Sequence, residues 1–261
     1  MKRFIPASLL PAFVSFLLLF AGCSPDTTAD PPAPGTVTLL TRTVTETTVA
    51  HRLLVFGADD DNACKLNHSF TSGSAVTLDN GNYRFVTLTE TACFDLPAAG
   101  KVDGLSYDQL LALKGDAGLE AVQISQPAEV KLPTATFYTA VLRPATCLFR
   151  LTLKDVPDGF QLHLKNMSAG LSLSGEYASV ATKAYPLQEN DNICLPTVGP
   201  AVLQYESDNG FGELDLDLGM AFEAGYTYSA SLQWHNEELN LTSNIEAWEN
   251  EDDKSGNAEM E

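Results

Sequence analysis

Positive charge is scarce in this 261-residue chain. Only 15 lysines and arginines stand against 34 aspartates and glutamates, a formal net charge of −19. So acidic a surface repels phosphate backbones and anionic headgroups, which sets nucleic-acid binding aside. Beyond Phe20 no apolar run is long enough to cross a bilayer. Catalytic signatures are missing too: there is no G-x-S-x-G elbow, H-E-x-x-H, Walker A loop or G-x-G-x-x-G after a strand. The absence of any C-x-x-C pair leaves zinc and thioredoxin-type chemistry unsupported. The histidines, His51, His68, His163 and His235, are scattered without ligand spacing, so neither a metal nor another cofactor is expected. Trp234 and Trp248, the only tryptophans, are a poor sugar-stacking platform and suit core packing better. These absences point away from an enzyme.

The N-terminus carries the strongest positive signal. Lys2 and Arg3 precede an apolar stretch from Phe4 to Phe20, interrupted by Pro6, Ser8, Pro11 and Ser15. Small residues then lead to a cysteine in Leu19-Phe20-Ala21-Gly22-Cys23. A charged start, an apolar stretch and a small-residue cleavage site define a secretory signal. The closing run resembles a lipobox, with Phe20 where leucine is usual. That likeness implies cleavage before Cys23 and palmitate-type acylation of its new N-terminus. Each buried methylene contributes about 0.8 kcal/mol, so two or three acyl chains hold a protein firmly on a bilayer. Pro25, Pro31, Pro32 and Pro34 make the next segment an extended spacer. Cys64, Cys93, Cys147 and Cys194 remain, an even number in an exported chain. Three connectivities are possible, and sequence order favours Cys64–Cys93 with Cys147–Cys194. Four buried thiols are the alternative.

After the spacer, strand patterns dominate. Thr36 to Ala50 is rich in β-branched residues, and Leu53-Leu54-Val55-Phe56 is a short apolar run typical of a buried strand. Val76 to Leu78, Asp79-Asn80-Gly81 and Tyr83 to Leu88 predict a hairpin with an Asn-Gly turn. Ser106, with Gln109 as capping-box partner and Gly115 as a stop, predicts one short helix. In the second half Ala145, Cys147, Phe149, Leu151 and Leu153 alternate with more polar residues, as do Tyr226, Tyr228, Ala230, Leu232 and Trp234. A last strand runs from Leu241 to Trp248. Many short strands predict an all-β protein built of sandwiches.

Two acidic groups invite chemistry and are better explained without it. Asp59-Asp60-Asp61-Asn62 lacks the glycine and glutamate that an EF-hand needs at its sixth and twelfth places, where Cys64 and Phe70 stand. A solvated turn fits. Glu213, Asp215 and Asp217 alternate with leucines, and their spacing of about 6.6 Å would suit a glycosidase pair. Any acidic strand face produces that spacing.

The order of these features resembles the Bacteroidetes fimbrial anchor subunits, lipoproteins at the base of type V pili, and the wider fimbrillin-like group. The likeness runs from the lipobox through Leu53-Leu54-Val55-Phe56 and its acidic turn to Leu78-Asp79-Asn80-Gly81-Asn82-Tyr83-Arg84-Phe85-Val86. It continues in Leu142-Arg143-Pro144-Ala145-Thr146-Cys147-Leu148-Phe149-Arg150-Leu151-Thr152-Leu153, and in Leu162-His163-Leu164-Lys165-Asn166. It closes at Asn244-Ile245-Glu246-Ala247-Trp248. The resemblance implies two tandem transthyretin-like β-sandwiches at the cell surface, lipid-anchored in the outer membrane, with other fimbrial subunits as partners through strand exchange. The expected division is 1–22 signal peptide, 23–35 lipidated N-terminus and spacer, 36–135 and 136–250 β-sandwiches, and 251–261 acidic tail. A surface glycan-binding lipoprotein of a polysaccharide-uptake system is the alternative reading.

Overall fold

The computed structural model describes residues 33–42, 50–59, 62–114, 118–156, 159–207, 212–235 and 238–247. The expected signal peptide, Cys23, the expected spacer as far as Pro32, Asp60, Asp61, Gly115, Trp248 and the acidic tail lie outside them. Among the described residues all regular structure is β, as the short apolar runs predicted.

The first strands are β1 (Gly35–Arg42), β2 (His51–Gly57), β3 (Cys64–Phe70), β4 (Ala75–Leu78) and β5 (Gly81–Thr89). A long connection carrying β6 (Leu110–Ala112) leads on to β7 (Gln123–Ser125), β8 (Ala128–Leu132) and β9 (Phe137–Pro144). Apart from β6 they form one sheet in the order β3-β2-β5-β7-β9-β1-β4, with β8 also paired to β5. Every residue of β2 is buried, because both faces of the strand are covered. Leu53 and Val55 join Val37, Leu39, Phe85 and Tyr138 in one core, while Leu54 and Phe56 enter another. That is why the run reads as continuously apolar rather than alternating. Strand β9 lies beyond the expected boundary at 135 yet pairs with β7 and β1, because Tyr138, Ala140 and Leu142 point into the same core as Val37.

The second half supplies β10 (Cys147–Lys154), β11 (Phe160–Met167), β12 (Gly170–Ser172), β13 (Tyr185–Leu187), β14 (Asn190–Cys194), β15 (Thr197–Ser207), β16 (Gly212–Asp217), β17 (Tyr226–His235) and β18 (Glu238–Ala247). Two four-stranded sheets result, β14-β10-β17-β18 and β13-β11-β15-β16. Phe149, Leu151, Tyr228 and Leu232 from the first share a core with Leu164, Leu203 and Tyr205 from the second. The same core takes in Leu54, Phe56, Val86 and Leu88 from the outer face of the eight-stranded sheet, and Phe94, Leu105 and Leu111 from the long connection. Each such side chain contributes about 1.5–3 kcal/mol on burial.

Two local expectations fail. The Asp79–Gly81 stretch closes no hairpin: β4 pairs with β1, and β5 pairs with β2, β7 and β8. Neither Asn80 nor Gly81 adopts the positive φ of a tight hairpin turn. The expected helix is also absent. Half of the expected capping box exists, since Ser106 N–H donates to Gln109 Oε1 at 3.3 Å, while Gln109 N–H donates to the Ser106 backbone carbonyl at 3.2 Å as in a turn. The chain then extends, and β6 pairs antiparallel with β12. A helix of two turns is marginal alone, and burying Leu111 with a distant strand outweighs it. The acidic turn fares better. It joins β2 to β3, with Asn62 at φ 58° accepting from Arg84 at 3.0 Å and Asp59 accepting from Asn82 at 2.6 Å.

Candidate assembly edge

Strand β18 is ten residues long and pairs with β17 from Tyr226↔Ala247 to His235↔Glu238. Its alternation follows from its place: Leu241 packs partly buried against the core, while Asn240 and Thr242 are exposed. It ends its sheet, so one row of its backbone N–H and C=O groups has no strand partner among the described residues. Strand β16 ends the facing sheet. The opposite ends, β13 and β14, are joined by a tight connection in which Gln188 N–H donates to Asn192 Oδ1 at 2.8 Å. That puts β16 and β18 on the same margin, where neither has a second strand partner among the described residues.

The acidic alternation lies on β16. Lys165 Nζ donates to Asp215 Oδ2 at 2.8 Å and stands 4.0 Å from Glu213, which also accepts from Gln204. The hydrogen bond to Asp215 raises the Lys165 pKa. This is a solvated acidic face with one cation on it. Leu214, beside these carboxylates, is 44% exposed. Among the described residues no group of three or more His, Cys, Asp or Glu is placed to hold a metal ion.

Strand β1 lies between β4 and β9, parallel to β9. Val37 and Leu39 face the core, and the alternate residues Thr38, Leu40 and Arg42 face outward. Leu40 is exposed beside Phe137 and Val141 of β9. Arg42, exposed, closes the strand opposite Val141, and residues 43–49 lie outside the described set.

The four described cysteines are all buried thiols. Cys147 and Cys194 stand directly opposite each other on β10 and β14. Cys64 Sγ donates to the Leu66 carbonyl at 3.2 Å, and Cys93 Sγ to the Gly118 carbonyl at 3.4 Å. Burial pushes the Cys64 thiol up to about 11. Cys23, the expected lipidation residue, lies outside the described residues.

A cleft of about 550 Å³ opens between Leu113, Met167, Ala169, Lys183 and Tyr185. Trp234 is half-buried near the end of β17, and the most exposed aromatic side chains among the described residues, Phe137 and Tyr226, belong to different sheets. One interior polar site has almost no signature in the sequence. Arg52, 7% exposed, donates to Glu90 and Asn67, and Asn67 in turn holds the carbonyls of Pro97, Ala98 and Lys101. The only hint is an arginine placed directly before four apolar residues.

No family model matches the chain, and no curated protein matches it in sequence. Solved structures match it in fold. The fimbrial anchor protein Mfa2 from Porphyromonas gingivalis is 12% identical, with a TM-score of 0.55 over 82% of this chain and 97% of that one. A proposed adhesin from Bacteroides ovatus is 12% identical, with a TM-score of 0.54 over 80% and 95%. A proposed polysaccharide-binding protein from Bacteroides thetaiotaomicron is 10% identical, with a TM-score of 0.58 over 84% and 99%. At these identities the likeness is one of architecture, and the chain has the all-β fold of the Bacteroidetes fimbrial and adhesin proteins.

Proposed function

We propose that the chain is a fimbrial anchor or accessory subunit, held in the outer membrane by lipid on Cys23 and joined to partner subunits by β-strand pairing. The observation that carries this reading is the open margin formed by β16 and β18. An unpaired strand edge is a template for another chain: backbone pairing gives affinity, and side-chain pockets give specificity. The fold shared with Mfa2 supports the fimbrial part of the reading. The Leu19–Cys23 run supports the tether. The protein acts by binding and holds no catalytic role.

An anchor must keep its lipid and its body on one chain. Strand β1 stitched between β4 and β9 supports this, because a protease needs an extended, unpaired segment. The test is brief trypsin treatment of intact cells, followed by fractionation and N-terminal sequencing. The body should stay with the membrane. Rapid cutting after Arg42, with the body shed and fimbriae still cell-bound, would rule out the anchor role.

The fold likeness to the proposed polysaccharide-binding protein favours a second reading, a glycan-binding surface lipoprotein. Phe137 and Tyr226 on separate sheets offer sugars no shared stacking platform. Specific retention of one glycan class on an array would move the balance to that reading.

A further inference from the structure

The geometry points to a single cross-strand disulfide, Cys147–Cys194, formed during export, with Cys64 and Cys93 left as thiols. Direct opposition in an antiparallel pair sets two Cα atoms about 4.5–5.5 Å apart, inside the range of about 4.4–6.8 Å that a disulfide spans. Opposed residues project to the same side of a sheet, and here both side chains enter the sandwich core with 0% exposure. Cys147 Sγ reaches the Cys194 carbonyl at 3.4 Å. The two thiols also interact directly: the hydrogen bond to Cys147, then burial, raises the Cys194 pKa well above its usual value. The pairing register therefore brings the two cysteines within disulfide reach. By contrast, Cys64 stands opposite Phe56 and Cys93 lies outside the strands, so neither faces a cysteine across a strand pair; their S–H groups reach the carbonyls of Leu66 and Gly118.

Full burial fixes when the bond must form. Neither thiol can meet an oxidant once the sandwich has closed, so oxidation belongs to the folding chain. The oxidant is a protein disulfide of the exported compartment. One cysteine thiolate attacks it, forming a mixed disulfide and releasing one oxidant thiolate. The second cysteine thiolate attacks the first cysteine's sulfur, closes Cys147–Cys194 and expels the second oxidant thiolate. Two electrons pass to the oxidant, and the two protons leave the cysteines. Once closed, the bond is as well sealed from reductant as the thiols were from oxidant. It fastens β14 to β10 and closes a loop of 47 positions that contains β11 and β13 of the facing sheet.

The test uses the full-length chain exported with its own signal, denatured in N-ethylmaleimide without reductant, digested and mapped by mass spectrometry. The expected result is a linked pair of peptides carrying Cys147 and Cys194, with Cys64 and Cys93 alkylated. Alkylated Cys147 and Cys194, or a link through Cys64 or Cys93, would overturn the proposal. A Cys64→Ala/Cys93→Ala variant should keep the link and lose about 10 °C of Tm on reduction under denaturing and refolding conditions. In a Cys147→Ala/Cys194→Ala variant the same treatment should leave Tm unchanged. Equal responses in the two variants would also overturn the idea.

Discussion

His51 opens β2 with its ring 2% exposed, 5.7 Å from Phe70, and its Nδ1 has no hydrogen-bond partner among the described residues. Burial lowers its pKa, so the folded state refuses a proton that the unfolded chain accepts. Stability should be full above about pH 6.5 and fall as the pH drops from there toward the lowered folded value. Glu90 adds a second, more acidic step. The Arg52 hydrogen bond holds its carboxyl below the usual value, so its contribution is present above about pH 4.3 and lost as the pH falls through the folded pKa. The first step should be much reduced in His51→Phe and the second kept, as read by Tm from pH 8 to 3; unchanged slopes between pH 7 and 5.5 would refute the assignment. Asn67, with 0% exposure, bonds three carbonyls and the Arg52 guanidinium. Asn67→Ala removes the donor to the Ala98 and Lys101 carbonyls, while the Pro97 carbonyl keeps Arg52 Nη1, and should cost about 1–3 kcal/mol in urea unfolding, with faster amide exchange from Ala98 to Lys101. A loss under about 0.5 kcal/mol would show that water replaces the side chain.

The short pairing of β6 with β12 ties the long connection to the second half, and it depends on one glycine. A Cβ at Gly170 would lie 2.3 Å from the Leu111 carbonyl oxygen and 2.7 Å from its carbon, both backbone atoms that cannot turn aside. Gly170→Ala should therefore cost about 1–3 kcal/mol and loosen Leu110–Ala112, measurable by denaturant unfolding and hydrogen exchange. Wild-type stability in that variant would mean that the β6–β12 contact is dispensable. At this scale the sequence was legible wherever burial leaves a period. β2 shows as an unbroken apolar run and β10 as an alternation, because each strand's two environments are written in its own side chains. Neighbours were not legible. Leu78 and Tyr83 looked like the arms of one hairpin, since a period of two says which way a residue faces and nothing about which strand lies beside it. The capping pair Ser106 and Gln109 was correctly recognised as a local contact, but tertiary pairing of Leu111 decided what followed. The last strand was expected at Leu241, whereas β18 begins at Glu238; its position at the sheet's end depends on β17, which its own residues do not reveal.

For the molecule as a whole, the proposal of a lipid tether rests on the Leu19–Cys23 run. Cys23→Ala should release the protein from membranes or leave an unprocessed precursor, as fractionation and intact mass would show. Normal processing with full membrane retention would refute lipid tethering. The path of β1 has a further consequence. Its partner Phe137–Pro144 lies about a hundred residues further along the chain, and their parallel pairing cannot form until both are present. A chain exported from its N-terminus delivers Gly35–Arg42 early and must wait for most of the first sheet before seating it. Contacts this remote in sequence form slowly, commonly over milliseconds to seconds. Throughout that interval the β9 edge stands unpaired where β1 will lie, and β4, whose only strand partner among the described residues is β1, is not yet held in the sheet. The newborn chain thus passes through a receptive period, when its own first strand and any other extended strand at hand compete for the same place. The rate of export, rather than the finished fold, sets how long that competition lasts.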